Sequence, residues 1–319
     1  MSEKRERAVV VSEKKKEAYI VSEHKQERRA ASQWAVALRR FRRNKAGLAG
    51  LVMISSFFAI AFYGLFLDPI PGRSYTCLLS GCSNLPPFTN WAHPLGTETS
   101  GIDVWNEIIH GTAGDLYVGI AATGIAVVIG LGVGAVAGYR GGIAGQALLG
   151  VTQIFFVLPI LVLILLLSRI LLTLVAHGLG LTLIMLILAA FGWPTIAYIS
   201  RGEILRIREL EYVQASKALG ASSTRIMFRH IVPNILSPII VISSLLVAGN
   251  ILTEVVISFL GFGDVSTSTW GLIIQEGQNY ATTSWWVSFF PGIAVVLCVL
   301  GFNLLGDGLS DALNPRLRE

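Results

Sequence analysis

Glu211-Tyr212-Val213-Gln214-Ala215-Ser216-Lys217-Ala218-Leu219-Gly220 stands at the centre of a polar stretch, Arg201 to His230, that separates two long apolar runs. A segment carrying Glu203, Arg206, Arg208, Glu209, Glu211 and Lys217 cannot rest in hydrocarbon, because each buried charge costs several kcal/mol. It therefore lies in water or against a partner. Ile204, Ile207, Leu210 and the pair Tyr212 and Val213 recur about every three residues, which predicts an amphipathic helix from Glu203 to Leu219. Gly220 supplies the left-handed turn that ends such a helix at little cost. Ser222 or Ser223 can cap a second short helix through Ile226, Met227 and Phe228, and Pro233 is expected to close it at the first turn of the next span. The predicted product is a helix–glycine–helix bend with apolar residues free to enter a groove on another protein.

Outward from this stretch the chain reads as a bilayer protein. Hydrophobic residues make up 53% of its 319 positions and charged residues only 14%, where a soluble domain has about 25% charge. Mean hydropathy is +0.64. A span needs about 20 apolar residues, since every backbone polar group in lipid must be bonded within its own helix. Six stretches qualify: Ala46–Leu67, Leu116–Tyr139, 147–169, 179–200, Ile231–Thr253 and Val287–Gly306, with Ala176 to Gly180 turning between the middle pair. The expected fold class is all-α, a polytopic membrane protein with six transmembrane helices.

Charge sets the expected orientation. With the first residues inside, 1–45, 139–146, 201–230 and 307–319 share one side, and all of the 25 basic residues except Arg73 and Arg169 fall there. The positive-inside rule puts both termini and the polar stretch in the cytoplasm. The opposite loops are acidic, carrying Asp68, Glu98, Asp103, Glu107 and Asp115, then Asp264 and Glu276. The net charge of +5 is thus a topology signal and gives no reason to expect nucleic-acid binding.

Ser2-Glu3-Lys4, Ser12-Glu13-Lys14 and Ser22-Glu23-His24 repeat within a charged tail that has little apolar surface to bury. No apolar signal-peptide core occurs there, so the first span is expected to stay as an anchor. Arg39, Arg40, Arg42, Arg43 and Lys45 form a cluster suited to anionic headgroups. Cys77 and Cys82 share an outer loop where a local disulfide is possible, and Cys298 reads as a packing residue. Glu254, near the outer end of the fifth span, is a candidate for the pathway or its gating. Arg169 and His177 suit headgroup contact, and Trp270, Trp285 and Trp286 an interfacial aromatic belt. Pro159, Pro194 and Pro238 can kink their spans.

At Gln214-Ala215-Ser216, Gly220 and Val232-Pro233 the chain resembles the transmembrane subunits of ATP-binding-cassette importers, whose cytoplasmic loop reads Glu-Ala-Ala, three residues, Gly, and later a hydrophobic-Pro pair. Gln214 stands where the family has a carboxylate and Ser216 where it has a second alanine. His93-Pro94-Leu95-Gly96-Thr97 with Gly101-Ile102-Asp103-Val104, Ser258-Phe259-Leu260-Gly261-Phe262-Gly263, Trp270-Gly271, and the ending Leu305-Gly306-Asp307-Gly308-Leu309 through Pro315-Arg316-Leu317-Arg318 resemble the C-type permease of the dipeptide and oligopeptide group. The resemblance covers roughly residues 38–319.

It implies a charged cytoplasmic extension (1–38), a first transmembrane helix with its outer loop (39–115), and a five-helix permease core (116–319) with a coupling loop at 201–230. Gln214, Ala215, Ser216, Leu219 and Gly220 would contact a separate ATPase subunit. Implied partners are a second permease, two cytoplasmic ATPase subunits, an extracellular solute-binding protein and the cell-membrane bilayer. No Gly-x-x-x-x-Gly-Lys-Ser/Thr loop occurs in the chain, so ATP and Mg would be held by the partner ATPases, with no cofactor or covalent catalysis here. Members resembling this group carry peptides, nickel or oligosaccharides. An ion-gradient-driven transporter would instead show carboxylates or broken helices near midplane, and the centres of these spans are nearly free of charge.

Overall fold

The computed structural model describes residues 35–68, 82–174 and 180–313. The repeat-bearing tail, Arg73, Cys77, His177 and the last six residues lie outside them. Among the described residues there are long helices and no strand, with one isolated bridge between Thr97 and Asp103. After helical residues 35–41 come α1 (Lys45–Leu67), α2 (Val104–Arg140), α3 (Gly142–Val157), α4 (Ile160–Leu174), α5 (Gly180–Arg208), α6 (Glu211–Ala218), α7 (Ser223–Phe262), α8 (Trp270–Gly277) and α9 (Trp286–Leu313). Five of these helices are long and apolar enough to cross a bilayer, and a sixth crossing exists if α3 and α4 count as one.

Helix α2 is the central post. It packs most extensively on α5, and also on α7, α1 and α8. Its seam with α5 is made by Gly130, Gly134 and Gly138, four residues apart and so on one face. A methyl group at Gly130 would come within 2.6 Å of Ile196 Cβ, one at Gly138 would lie 3.1 Å from the Arg201 carbonyl oxygen, and one at Gly134 would overlap the Ser200 hydroxyl. That hydroxyl donates across the seam to the Gly130 carbonyl at 3.3 Å. Helix α1 is more peripheral, with 28% of its most apolar window buried against 56% for α5, and it turns Val52, Phe58 and Phe66 outward. An apolar face of this kind matches lipid. The start of α1 is capped by the side chain of Asn44, whose Oδ1 accepts the Gly47 N–H while its Nδ2 donates to Asp311 on α9 at 2.9 Å.

The stretch 147–169, expected as one span that Pro159 could kink, is broken there into two helices. Helices α3 and α4 meet at 84° across Leu158 and Pro159. Proline has no N–H to bond and its ring pushes the preceding residue out of the helical region, and Leu158 is extended at φ −69°, ψ 137°. Pro194, Pro238 and Pro291 are carried inside helices. The second span also starts earlier than expected: Asp103 Oδ1 accepts the Trp105 N–H at 2.9 Å and caps α2, and the same carboxylate meets His93 Nδ1 at 3.2 Å. Thr97, fully buried, donates to the Cys82 carbonyl and accepts the Leu85 N–H, so the His93–Thr97 segment is a shaped turn. Cys82 is disulfide-bonded; Cys77, the expected partner, lies outside the described residues.

Two of the three tryptophans assigned to an interfacial belt are core residues. Trp270 is fully buried, donates its ring N–H to the Ile108 carbonyl at 3.2 Å and meets the Phe57 ring edge-on. Trp286 donates to the Thr97 carbonyl at 3.1 Å, and only Trp285 is exposed. These indole N–H groups are satisfied by the carbonyl of Ile108 on α2 and by that of Thr97 in the segment before α2. Asp264, in the segment between α7 and α8, ties that segment to α5 by accepting the Leu181 N–H at 3.2 Å. Burial alone would raise its carboxyl, but bonds from Ser266, Leu181 and Thr267 outweigh that and hold it below its ordinary value. The tie is therefore intact at neutral pH and weakens as pH falls through the carboxyl's range.

The glycine seam predicts a position-specific effect. Gly134→Leu should force α2 from α5 at a cost of about 1–3 kcal/mol, whereas Gly132→Leu, where nothing lies within 4 Å, should leave the melting temperature unchanged. Thermal unfolding of the detergent-solubilised protein separates the two, and equal melting would refute the seam.

Candidate functional site

The polar stretch folds as an elbow between α5 and α7. The helix expected from Glu203 to Leu219 is divided: α5 runs on to Arg208, residues 209 and 210 turn, and α6 covers Glu211–Ala218. The break leaves the last carbonyls of α5 needing donors. Gln214 Nε2 supplies one to the Arg208 carbonyl at 2.9 Å, and Arg208 reaches back through Nη1 to the Gly138 carbonyl at the end of α2.

The end of α6 is a complete Schellman turn. Gly220 sits at φ +81°, its N–H bonds the Lys217 carbonyl at 3.0 Å, and the Ala221 N–H bonds the Ser216 carbonyl at 3.1 Å. Ser222 then caps the next helix by accepting the Arg225 N–H. That helix is not closed by Pro233, as the sequence suggested, but continues as α7 to Phe262. A wider π turn at Met227–Ile231 precedes the proline and takes up the missing bond and the crowding of its ring.

The apolar periodicity resolves into two faces with different fates. Ile204, Ile207, Val213, Ile226, Ile231 and Ile235 form a small core of their own beneath the elbow. They are closed to any partner. Leu219, 88% exposed at the turn, and Phe228, 69% exposed, point the other way, with Gln214, Ala215 and Gly220 exposed beside them and Ser216 partly covered. Behind α6 a cavity of about 400 Å³ is lined by Tyr139, Arg140, Arg208, Gln214, Lys217 and Ser223. Tyr212 accepts a bond from the Asn234 amide at 3.3 Å, which brackets the turn from α7. Burial pushes its phenol up against a smaller pull from Arg206, so it stays neutral.

Glu254 lies elsewhere. It is on α7 with the elbow, about 45 Å away at 1.5 Å per residue, and is fully buried. Its Oε1 accepts the Ser258 hydroxyl at 2.6 Å, and its carboxyl meets that of Asp115 on α2. Asp115, also fully buried, accepts the Trp270 N–H at 2.9 Å. Sequence reading left Asp115 among the acids of an outer loop, because it began the span at Leu116. The available signal was Asp103 as a helix cap, followed by the small or polar face Gly111, Thr112 and Asp115 at helical spacing.

The comparisons with known proteins agree on a family. The model described as the binding-protein-dependent transport system inner membrane component matches residues 130–319, and that of the N-terminal TM domain of oligopeptide transport permease C matches 32–87. The chain is 37% identical over 287 residues to the dipeptide transport system permease protein DppC of Bacillus subtilis, covering 89% of this chain and 86% of that protein. It is 33% identical to the oligopeptide transport system permease protein OppC of the same organism, covering 92% of each. With the glutathione transport system permease protein GsiD of Pectobacterium atrosepticum it shares 32% identity over 90% of this chain and 92% of that one.

Gln214 holds the elbow as a donor, which a carboxylate cannot be. Gln214→Glu should remove the bond to Arg208 and place a second acid beside Glu209, at a cost of up to about 1.5 kcal/mol. Hydrogen exchange at the α5–α6 junction should accelerate while the seam of α2 and α5 is unaffected. Unchanged exchange would mean the amide is incidental.

Proposed function

The chain belongs to the family of inner membrane components of binding-protein-dependent transport systems, and on that premise we propose that it forms half of the translocation pathway of an ATP-driven importer for dipeptides or oligopeptides. The names of its relatives favour peptides over nickel or oligosaccharides as cargo. A second permease completes the pathway, two cytoplasmic ATPase subunits hold ATP and Mg, and an extracellular binding protein delivers the solute. The chain itself performs no covalent catalysis. With α3 and α4 taken together as one crossing, both termini and the elbow face the cytoplasm, a reading supported by the distribution of basic residues.

One observation carries the coupling role: an exposed apolar tip at Leu219 mounted on a rigid elbow. An exposed leucine on a tight turn is poised to enter a groove of a partner. Its mount is stiff, because α6 is braced to α5 by Gln214, to α2 through Arg208, and to α7 by the buried isoleucines. Movement of a docked ATPase would pass through Leu219, Ala215, Ser216 and Gly220 into α7, whose regular stretch Val232–Ile257 runs for 26 residues before the kink at Gly261, as rigid-body rocking. Gln214 then acts as a brace on the elbow, and the contact with the ATPase is one of shape. The buried position of Glu254 supports a structural part in that rocking more than direct contact with solute.

Leu219→Glu should abolish co-purification of the ATPase subunits while the solubilised permease melts at an unchanged temperature, since the side chain has no intramolecular packing to lose. Retained association would remove Leu219 from the interface. A cysteine at Ser223 should react with an impermeant thiol reagent only in inside-out vesicles. Uptake of a peptide by the reconstituted complex should require ATP and persist when ion gradients are collapsed; the reverse would make this a gradient-driven transporter.

A further inference from the structure

Asp115 and Glu254 form a contact that two carboxylates cannot make. Both are fully buried, and they come from different helices, α2 and α7. Each has one oxygen with a conventional donor: the Trp270 N–H for Asp115 Oδ2 and the Ser258 hydroxyl for Glu254 Oε1. The other oxygens, Asp115 Oδ1 and Glu254 Oε2, have no donor, yet the two carboxyl groups lie within hydrogen-bonding reach of each other. An ionised carboxylate only accepts hydrogen bonds, so two of them in contact repel, and burial removes the water that would screen them. Among the described residues no group of three or more His, Cys, Asp or Glu side chains could hold a metal ion. Facing Asp115 are Glu254 from α7 and, from α9, the Cys298 thiol; α8 offers the Trp270 backbone N–H. No basic side chain takes part in these interactions of Asp115.

We infer that Asp115 and Glu254 share one proton and form a singly charged acid–carboxylate latch that pins α8 to the outer ends of α2 and α7. One carboxyl donates to the other, and the remaining charge is met by the Trp270 N–H and the Ser258 hydroxyl. Such charge-assisted bonds are roughly twice as strong as neutral ones. The latch is placed to position the outer segment. Trp270 is held at its backbone by Asp115 and at its ring by the Ile108 carbonyl, and Gly271 lets α8 approach α7 so closely that a methyl group there would lie 2.5 Å from the Val255 carbonyl oxygen. The pair is thus a positioning device and does not depend on which solute is carried.

The sign of its pH dependence follows. Unfolded carboxyls are ionised at neutral pH, whereas the folded pair keeps a proton, so the folded state binds more protons and loses stability as pH rises. In the full-length protein reconstituted in nanodiscs, melting temperature should fall from neutral to alkaline pH. The fall should be absent in Glu254→Gln and in Asp115→Asn, since an amide N–H donates to the surviving carboxylate at every pH. Infrared spectra of the wild type at neutral pH should contain the carbonyl stretch of a protonated carboxylic acid shielded from exchange, lost in either amide variant. Absence of that band in the wild type would overturn the inference even if both variants failed to fold. So would identical pH profiles in wild type and variants, or wild-type melting that depends on added sodium or calcium, which would place a cation between the carboxylates.

Discussion

The close approach of α2 and α5 along Gly130, Gly134 and Gly138 is the contact on which the remaining architecture depends. In a bilayer the hydrophobic effect does not drive helices together, because lipid tails are as apolar as leucine, and association relies on van der Waals contact and hydrogen bonds. Glycines let two backbones come near enough for both. The seam also fixes the positions of its two ends. At one end Arg208 of α5 bonds the Gly138 carbonyl, which sets the elbow; toward the other, Asp115 of α2 meets Glu254 and the Trp270 N–H.

The elbow and the buried pair lie far apart on α7, yet they are built on one principle. Each uses polar groups to hold an irregular segment against regular helices, and each satisfies donors and acceptors that the change of direction exposes. At the elbow the need is for donors, because α5 ends, and Gln214 meets it. At the buried pair two acids come together where neither can be neutralised by a base, and a proton is the smallest species that resolves the conflict. The amide of Gln214 thus suits this elbow because it can donate where the end of α5 needs a donor.

Much of this was legible in the chain. The apolar stretches announce helices that cross a bilayer, since lipid admits no other open-chain solution. Gly220 announces the turn, and the pair Ser222 and Ser223 a cap after it, which the structure gives to Ser222. Leu219 was among the residues that the family resemblance pointed to, but that Phe228 shares its exposed face was not legible. Periodicity shows that a helix has an apolar face without saying whether protein or partner covers it, and here Ile204, Ile207 and Val213 turned inward. Trp270 and Trp286 were misread for the same reason: an indole suits an interface and a buried carbonyl equally well.

By itself, then, the sequence determined the class of fold, the place of the elbow and the expected side of the membrane, because hydropathy, charge and glycine geometry are local properties that each residue carries wherever the chain goes. Only the tertiary structure decided that Pro159 bends its stretch by 84°, that Asp115 belongs to a helix and meets Glu254, and that Gln214 works as a donor to the end of α5. These depend on which neighbours fill the space around a group. Partners separated by well over a hundred residues, as Asp115 and Trp270 are, leave no mark in the spacing of either.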